Sequence, residues 1–249
     1  MSRLDERVVI VTGASRGLGE AMSRLFAEEG ARLILGDVRD EMGEAVARSI
    51  VEGGGDATFH HLDVSRPEDW EATVAGVESD RGRLDGLVNN AGVLGGGPIL
   101  EHTMEAWDRV IAVNQTGTFL GMKHCLPLLE ADGGGAIVNI SSCAGIAPTP
   151  GAGPSYAATK AAIRLMTKSI AIDWARRGVR ANSVHPGRFQ TDMSVEIGDT
   201  ISDAVAEATP MGRAADPREV AYAALWLLSD EASFVTGAEF CVDGGLTAV

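Results

Sequence analysis

A tyrosine and a lysine four residues apart, Tyr156 and Lys160 in the run SYAATK, are the strongest candidates for chemistry in this sequence. On a helix that spacing puts both side chains on one face, within reach of one bound molecule. A free phenol titrates at roughly pH 10, and a neighbouring ammonium favours its phenolate, which brings the proton into range for exchange near neutral pH. The pair therefore reads as a proton-transfer unit, with Tyr156 acting as base or acid. Ser142, just past an apolar run, offers a hydroxyl that can donate to a substrate oxygen and stabilise charge developing there. Ser141 stands beside it as an alternative donor. The ordinary alternative for a single tyrosine is a buried ring whose hydroxyl finds a partner, and the lysine one turn away argues against it.

A second signal is TGASRGLG, Thr12 to Gly19, which follows an apolar run and opens a helical one. Backbone N–H groups and the helix dipole at such a junction face an anion, and a dinucleotide pyrophosphate fits there. Gly13, Gly17 and Gly19 permit positive φ and remove Cβ atoms where phosphate and helix approach the backbone, with Ser15, Arg16 and Leu18 completing the turn. The spacing is GxxxGxG, unlike the commoner GxGxxG, so its place after a strand carries the reading. Asp37, about twenty residues on at the end of the second apolar run, can accept hydrogen bonds from adenosine ribose hydroxyls, with Val38 beside it. A 2′-phosphate would set roughly two negative charges against that carboxylate, so NAD is preferred to NADP. Arg16 and Arg39 keep NADP open, because either cation reaches the same region. Asp63 and Val64, after the third strand, are expected at the adenine.

Charge and composition exclude other classes. The formal net charge of −14 disfavours nucleic acid and anionic membrane surfaces, whose binding draws on clustered Lys and Arg. Cys125, Cys143 and Cys241 are odd in number and widely spaced, which suits a reducing compartment and neither a disulfide framework nor a metal site. His60 and His61 are neighbours on an expected strand, point to opposite faces and do not share a metal; one is expected packed and one solvated. The first apolar stretch is too short for a signal segment or a membrane span, so a cytoplasmic protein with no metal is expected.

These groups must be positioned by a scaffold of short apolar runs alternating with helical segments, the pattern of a parallel sheet covered on both faces. Expected strands cover 8–11, 33–35, 86–88, 136–140, 179–184 and 240–242. Leu18, Met22, Leu25 and Phe26 fall on one helical face, and Gly30 stops that helix. Ser65 with Glu68 has capping-box spacing, and Asp216, Pro217 and Glu219 announce the last long helix. The glycine runs 53–55, 95–97 and 133–135 are expected loops, and no repeat or linker divides the chain.

Taken together, these residues resemble the short-chain dehydrogenase/reductase family along essentially the whole sequence. TGASRGLG at 12–19 resembles its cofactor turn, NNAG at 89–92 its sheet-stabilising motif, and Asn114 its helix asparagine. Ser142 with Tyr156 and Lys160 resembles its active site, and PGRFQTDM at 186–193 its nicotinamide-side segment. The resemblance implies an α/β fold: one Rossmann-type domain over residues 1–249, a doubly wound parallel sheet of about seven strands with helices on both faces. It also implies a homotetramer, with the VDGG-bearing C-terminus at a subunit contact.

The same resemblance implies site roles. Asn90, Ala91, Gly92, Pro186, Gly187, Phe189 and Thr191 would meet the cofactor, Thr191 at the nicotinamide carboxamide and Phe189 at the ring edge. Lys160 would also hold the nicotinamide ribose, and Asn114 would complete a water-linked proton relay. Asn90 is expected to touch cofactor and Asn89 to brace backbone, while His185 is read as packing. The interval from Ser142 to Tyr156 is one residue longer than the family's commonest, and the extra residue falls in the loop CAGIAPTPGAGPS, where Pro148, Pro150 and Pro154 stiffen the chain.

The expected activity is NAD-dependent interconversion of a secondary alcohol and a ketone by hydride transfer. The segments that would ring the substrate, 93–99, 143–155 and 188–209, are small, apolar or acidic, which suits a neutral, hydrophobic or cyclic alcohol, hydroxysteroid-like or terpenoid-like. Only Arg188 offers an anion partner there, so a carboxylate or phosphate substrate has little support. Ile197, Ile201 and Val205 suggest an amphipathic lid over 194–209, within a substrate region of 188–212, or a plain surface helix. Alternatives are an NADP-dependent carbonyl or 3-oxoacyl reductase of the same family, a non-catalytic NAD-binding sensor, and an epimerase or dehydratase with tightly held NAD.

Overall fold

Runs of apolar residues without polar alternation need burial on both faces, and the first strand shows how that is met. In β1 (Val8–Thr12), Val9 and Val11 enter one core cluster while Val8 and Ile10 enter the other. The structure, a computed structural model, describes residues 2–95, 97–147, 149, 151–189 and 207–248. The remaining strands are β2 (Arg32–Asp37), β3 (Asp56–His61), β4 (Gly86–Asn89), β5 (Gly135–Ile140), β6 (Val179–Pro186) and β7 (Glu239–Val242). They form one seven-stranded sheet in the order β3-β2-β1-β4-β5-β6-β7. Every pairing is parallel.

One core packs α1 (Gly17–Glu28), α2 (Asp40–Glu52) and α7 (Pro217–Leu228) on the sheet. The other packs α3 (Pro67–Arg81), α5 (Gly117–Ala131) and α6 (Pro154–Trp174) on the opposite face. The order reverses at β1, which pairs with β2 on one side and β4 on the other. The chain leaving β1 enters α1 on one face and the chain leaving β4 leads to α5 on the other, so a crevice opens between the carboxyl ends of β1 and β4, the place where such sheets bind ligands.

The expected strands are all present, each longer by one to three residues. Gly135, expected in a loop, begins β5 and pairs with Val179. Leu18, Met22, Leu25 and Phe26 are all buried, and Gly30 ends their helix region at φ +85°. His60 is half-buried and His61 exposed, against Asp40 at 2.6 Å. The capping box at Asp216 is present, its carboxylate accepting from Arg218 N and the Glu219 side chain reaching back to the Asp216 N–H. The one expected at Ser65 is absent. Asp63 captures both the Ser65 N–H and hydroxyl, at 3.0 and 2.7 Å, and the helix starts two residues later at Pro67, whose missing N–H costs nothing there.

One distortion has no counterpart in the sequence pattern. Between α4 (Met104–Val110) and α5 the helix widens to π geometry over Ile111–Thr116, so the Gly117 N–H reaches back to Ala112. Asn114 lies in that turn, fully buried. Among the described residues no helix is long and apolar enough to cross a membrane, and no group of His, Cys, Asp or Glu is placed to hold a metal.

Candidate active site

The glycine turn is held by the strand beside it. Thr12 Oγ accepts the N–H groups of Asn90 and Ala91, both at 3.0 Å, and the Asn90 amide donates to the carbonyls of Thr12 at 2.9 Å and Gly13 at 3.2 Å. The backbones approach so closely that a Cβ on Gly13 would lie 2.9 Å from Ala91 Cα, and one on Gly19 would lie 2.0 Å from the Gly13 carbonyl oxygen. Gly13 and Gly17 take positive φ, +65° and +59°. Helix α1 begins after Arg16 with no side chain capping it, so its first N–H groups face the crevice without an internal acceptor. A flat, glycine-lined cradle at an uncapped helix start fits a dinucleotide pyrophosphate.

From this turn a cleft of about 480 Å³ runs across the carboxyl ends of β1, β4, β5 and β6. At one end Asp37, Val38, Arg39, Asp63 and Val64 line it; at the other Ser142, Tyr156, Lys160, Pro186, Gly187 and Phe189. Gly13, Arg16, Gly17, Leu18, Asn90, Ala91 and Gly92 line the middle. Three expected site residues stand behind the wall. Gly19 backs onto Gly13, and Ser15 gives its N–H and hydroxyl to Asp37 at 3.1 and 2.7 Å. Asn114 is spent on Val93, accepting its N–H at 2.8 Å and donating to its carbonyl at 3.0 Å, with Thr159 Oγ at 3.3 Å. Thr191 and the expected lid helix positions Ile197, Ile201 and Val205 lie outside the described residues.

Asp37 is more committed than a free ribose acceptor. Besides Ser15 it accepts the Arg39 N–H at 3.0 Å, and the Arg39 guanidinium lies 3.7 Å away. A carboxylate has about four acceptor positions, so one remains toward the cleft that it lines. The asparagine pair differs from expectation as well. Asn90, beyond lining the cleft, is the one that braces backbone, whereas the Asn89 side chain donates to that of Asn139 at 2.8 Å across β4 and β5.

At the far end, Lys160 is buried on α6 and its ammonium donates to the Ile140 carbonyl at 2.8 Å, lying 5.6 Å from the centre of the Tyr156 ring. Ser141 and Ser142 separate cleanly. The Ser141 hydroxyl donates to the Lys160 carbonyl at 2.8 Å, tying β5 to α6. Ser142 Oγ accepts the Ala144 N–H at 3.1 Å at the head of the turn Cys143–Gly145, donates only a long bond to Cys143 Sγ at 3.9 Å, and stands by the phenol. His185, buried, is a brace: one ring nitrogen meets Ser183 Oγ at 2.8 Å and the other the Ser142 carbonyl at 3.2 Å.

The electrostatics depart from the sequence expectation. Burial pushes the Tyr156 phenol up to about 12, with the Ser142 hydroxyl pulling the other way. Burial likewise brings Lys160 down to about 8. Desolvation disfavours the charged form of each, and the ammonium is aimed at a carbonyl rather than at the phenolic oxygen, so its charge does not acidify the ring in the protein alone.

Sequence reasoning missed part of the lining. Arg109 and Val113 face the cleft from one side of a helix, as their four-residue spacing allows, and Leu62 and Ile140 line it from strand ends. Helical spacing to Asn114's neighbour was the available signal. Arg109 also donates to the Leu94 carbonyl at 3.2 Å, fixing the loop after β4.

Comparison with known proteins extends these observations. A family model described as Enoyl-(Acyl carrier protein) reductase matches residues 13–247. The chain is 41% identical over 244 residues to the 2,5-dichloro-2,5-cyclohexadiene-1,4-diol dehydrogenase LinX of Sphingobium indicum, covering 98% of this chain and 97% of that one. It is 43% identical over 250 residues to a cyclopentanol dehydrogenase of Comamonas sp., covering 100% of each. A solved structure assigned to the short-chain dehydrogenases/reductases, from Burkholderia xenovorans, matches with a TM-score of 0.95 at 38% identity, covering 100% of this chain and 99% of that one.

Proposed function

Since the chain belongs to the short-chain dehydrogenase/reductase family, we propose that it is an NAD-dependent dehydrogenase interconverting a cyclic secondary alcohol and its ketone. The observation that carries this reading is one cleft with an anion cradle at its middle and Ser142, Tyr156 and Lys160 together at its end. The named relatives act on a cyclic diol and on cyclopentanol, and the walls around Tyr156, including Cys143, Ala144 and Ala152, are small.

The dinucleotide, when bound, supplies the hydride acceptor or donor. Gly13, Gly17 and the head of α1 would hold its pyrophosphate, Asp37 its adenosine ribose, and Lys160, Pro186, Gly187 and Phe189 its nicotinamide end, with Thr191 on the carboxamide. Tyr156 moves the proton at its phenolic oxygen: the phenol gives it to a ketone oxygen in reduction, and the phenolate takes it from the hydroxyl in oxidation. Ser142 donates to the same substrate oxygen and stabilises the negative charge on it. Lys160, charged below about pH 8, favours the phenolate once aligned with it. Asn114 acts by fixing Val93 and Thr159, and through them the floor under Tyr156, whose carbonyl accepts from Thr159 Oγ at 2.8 Å.

Asp37 favours NAD because a 2′-phosphate would meet a buried carboxylate and would have to draw Arg39 from it. Arg39 at that end and Arg16 in the middle of the same cleft support NADP as the second reading. A carrier-protein substrate is disfavoured by the charge of −14, since acidic carriers need a basic entrance. A single-domain, cytoplasmic homotetramer completes the proposal, supported by the exposed apolar side chains Phe119, Leu165 and Ile172. Oxidation of cyclopentanol and larger ring alcohols with NAD or NADP, followed at the nicotinamide absorbance band, tests the reading; no reaction with any ring alcohol or ketone would refute it.

A further inference from the structure

Arginines in this acidic protein are nearly all committed. Arg213 grips Glu219 through two nitrogens, Arg164 pairs with Glu239, Arg81 with Asp56 and Arg3 with Glu231. Arg180 is spent on the carbonyls of Leu227 and Ser229. Arg188 is different. It is half-buried and lines both the main cleft and a small adjoining hollow of about 80 Å³, yet among the described residues its guanidinium has no hydrogen bond or ion pair.

Two carboxylates border that hollow and neither serves it. Glu219 is closed by Arg213 and the Asp216 N–H, and Asp243 by the Gly245 and Thr247 N–H groups and the Thr247 hydroxyl. The arginine also stands at the reacting end of the cleft. Its neighbour Gly187 backs onto Asp243 so closely that a Cβ would lie 2.7 Å from Asp243 Cα, and the charge of Asp243 reaches Cys143, next to Ser142. The adenosine end, with Asp37 and Asp63, lies at the other extreme.

A partly desolvated guanidinium with no acceptor among the described residues is open to one from a ligand, and its planar fork matches a carboxylate. We propose that Arg188 selects ring alcohols that also carry a carboxylate, receiving that group while the carbinol carbon lies by Tyr156. This rests on the dehydrogenase reading above and gives it a substrate class: a hydroxylated alicyclic acid, an anionic substituent that the sequence reading set aside. A charge-assisted pair of this kind is worth about tenfold to a hundredfold in kcat/KM, expressed in KM more than in kcat.

The experiment compares 3-hydroxycyclopentane-1-carboxylate with cyclopentanol in wild type, Arg188→Met and Arg188→Lys, with NAD affinity measured on each protein. Wild type should favour the acid at least about tenfold in kcat/KM, Arg188→Met should lose that preference, and Arg188→Lys should keep part of it. An absent preference in wild type, an unchanged ratio in Arg188→Met, or a loss of NAD affinity that accounts for the change would each overturn it. Calorimetry of cyclopentanecarboxylate against cyclopentanecarboxamide, titrated into NADH-loaded protein, reads the same site without turnover. Carboxylate binding that disappears in Arg188→Met supports the proposal even where cyclopentanol oxidation, and with it the dehydrogenase reading, fails; equal binding of acid and amide contradicts it.

Discussion

The hydroxyl of Ser141 donates to the main-chain carbonyl of Lys160 at 2.8 Å, so the first of two adjacent serines is part of the frame and the second is left for chemistry. Ser141→Ala should destabilise the fold by about 1–2 kcal/mol through the lost buried hydrogen bond while retaining most turnover. Ser142→Ala should cost a comparable amount of stability, because the Ala144 N–H loses its cap, and lose about a hundredfold or more in kcat. Thermal unfolding with steady-state kinetics checks both, and the reverse pattern would exchange the roles.

Gly19 lies behind the anion cradle rather than in it, yet a methyl group there would collide with the Gly13 carbonyl. Gly19→Ala should therefore displace the turn and weaken NAD and NADH binding alike by at least about tenfold, read by calorimetry. Undiminished cofactor affinity would show that the turn does not hold the dinucleotide.

Asp37 ties the cofactor choice to the fold. Asp37→Ser should shift the NAD to NADP ratio of kcat/KM toward NADP and also cost about 1–3 kcal/mol, because Ser15 and the Arg39 N–H lose their acceptor. A stability loss with an unchanged cofactor ratio would leave Asp37 a purely structural brace.

Burial of Lys160 predicts a pH signature. Its folded pKa, about 8, lies below the ordinary lysine value of 10.5, so between those values the unfolded chain holds more protons and wild-type stability should rise with pH. Below pH 8 the buried ammonium is a standing cost, and Lys160→Met should be inactive but about 2 kcal/mol more stable at pH 7, with the gain shrinking toward pH 10. Denaturant melts across that range decide it; a gain independent of pH would mean the lysine is not desolvated.

What could be read from the sequence follows from which forces are local. Val8 to Val11 and Ala136 to Ile140 were readable because strands buried on both faces leave unbroken apolar runs. Strand β3 is an edge strand with half its surface open, so DATFHH carries no such run. The false cap at Ser65 arose because Asp63, two residues earlier, competes for the same donors and Pro67 moves the helix start. At the site, spacing gave Tyr156 and Lys160 their common face, but the direction of the Lys160 ammonium toward Ile140 depends on how β5 meets α6. The same holds for Asn89 and Asn90, and for the charge of Arg188, uncommitted among the described residues, which only the pairing of its neighbours reveals.

The most direct test of the account is Tyr156→Phe, which removes one oxygen and keeps the ring. The variant should bind NADH with wild-type affinity by calorimetry and lose at least about a thousandfold in kcat for ring-alcohol oxidation and ketone reduction. A folded, cofactor-binding Tyr156→Phe protein that turns over at the wild-type rate would contradict the proton route on which the account depends.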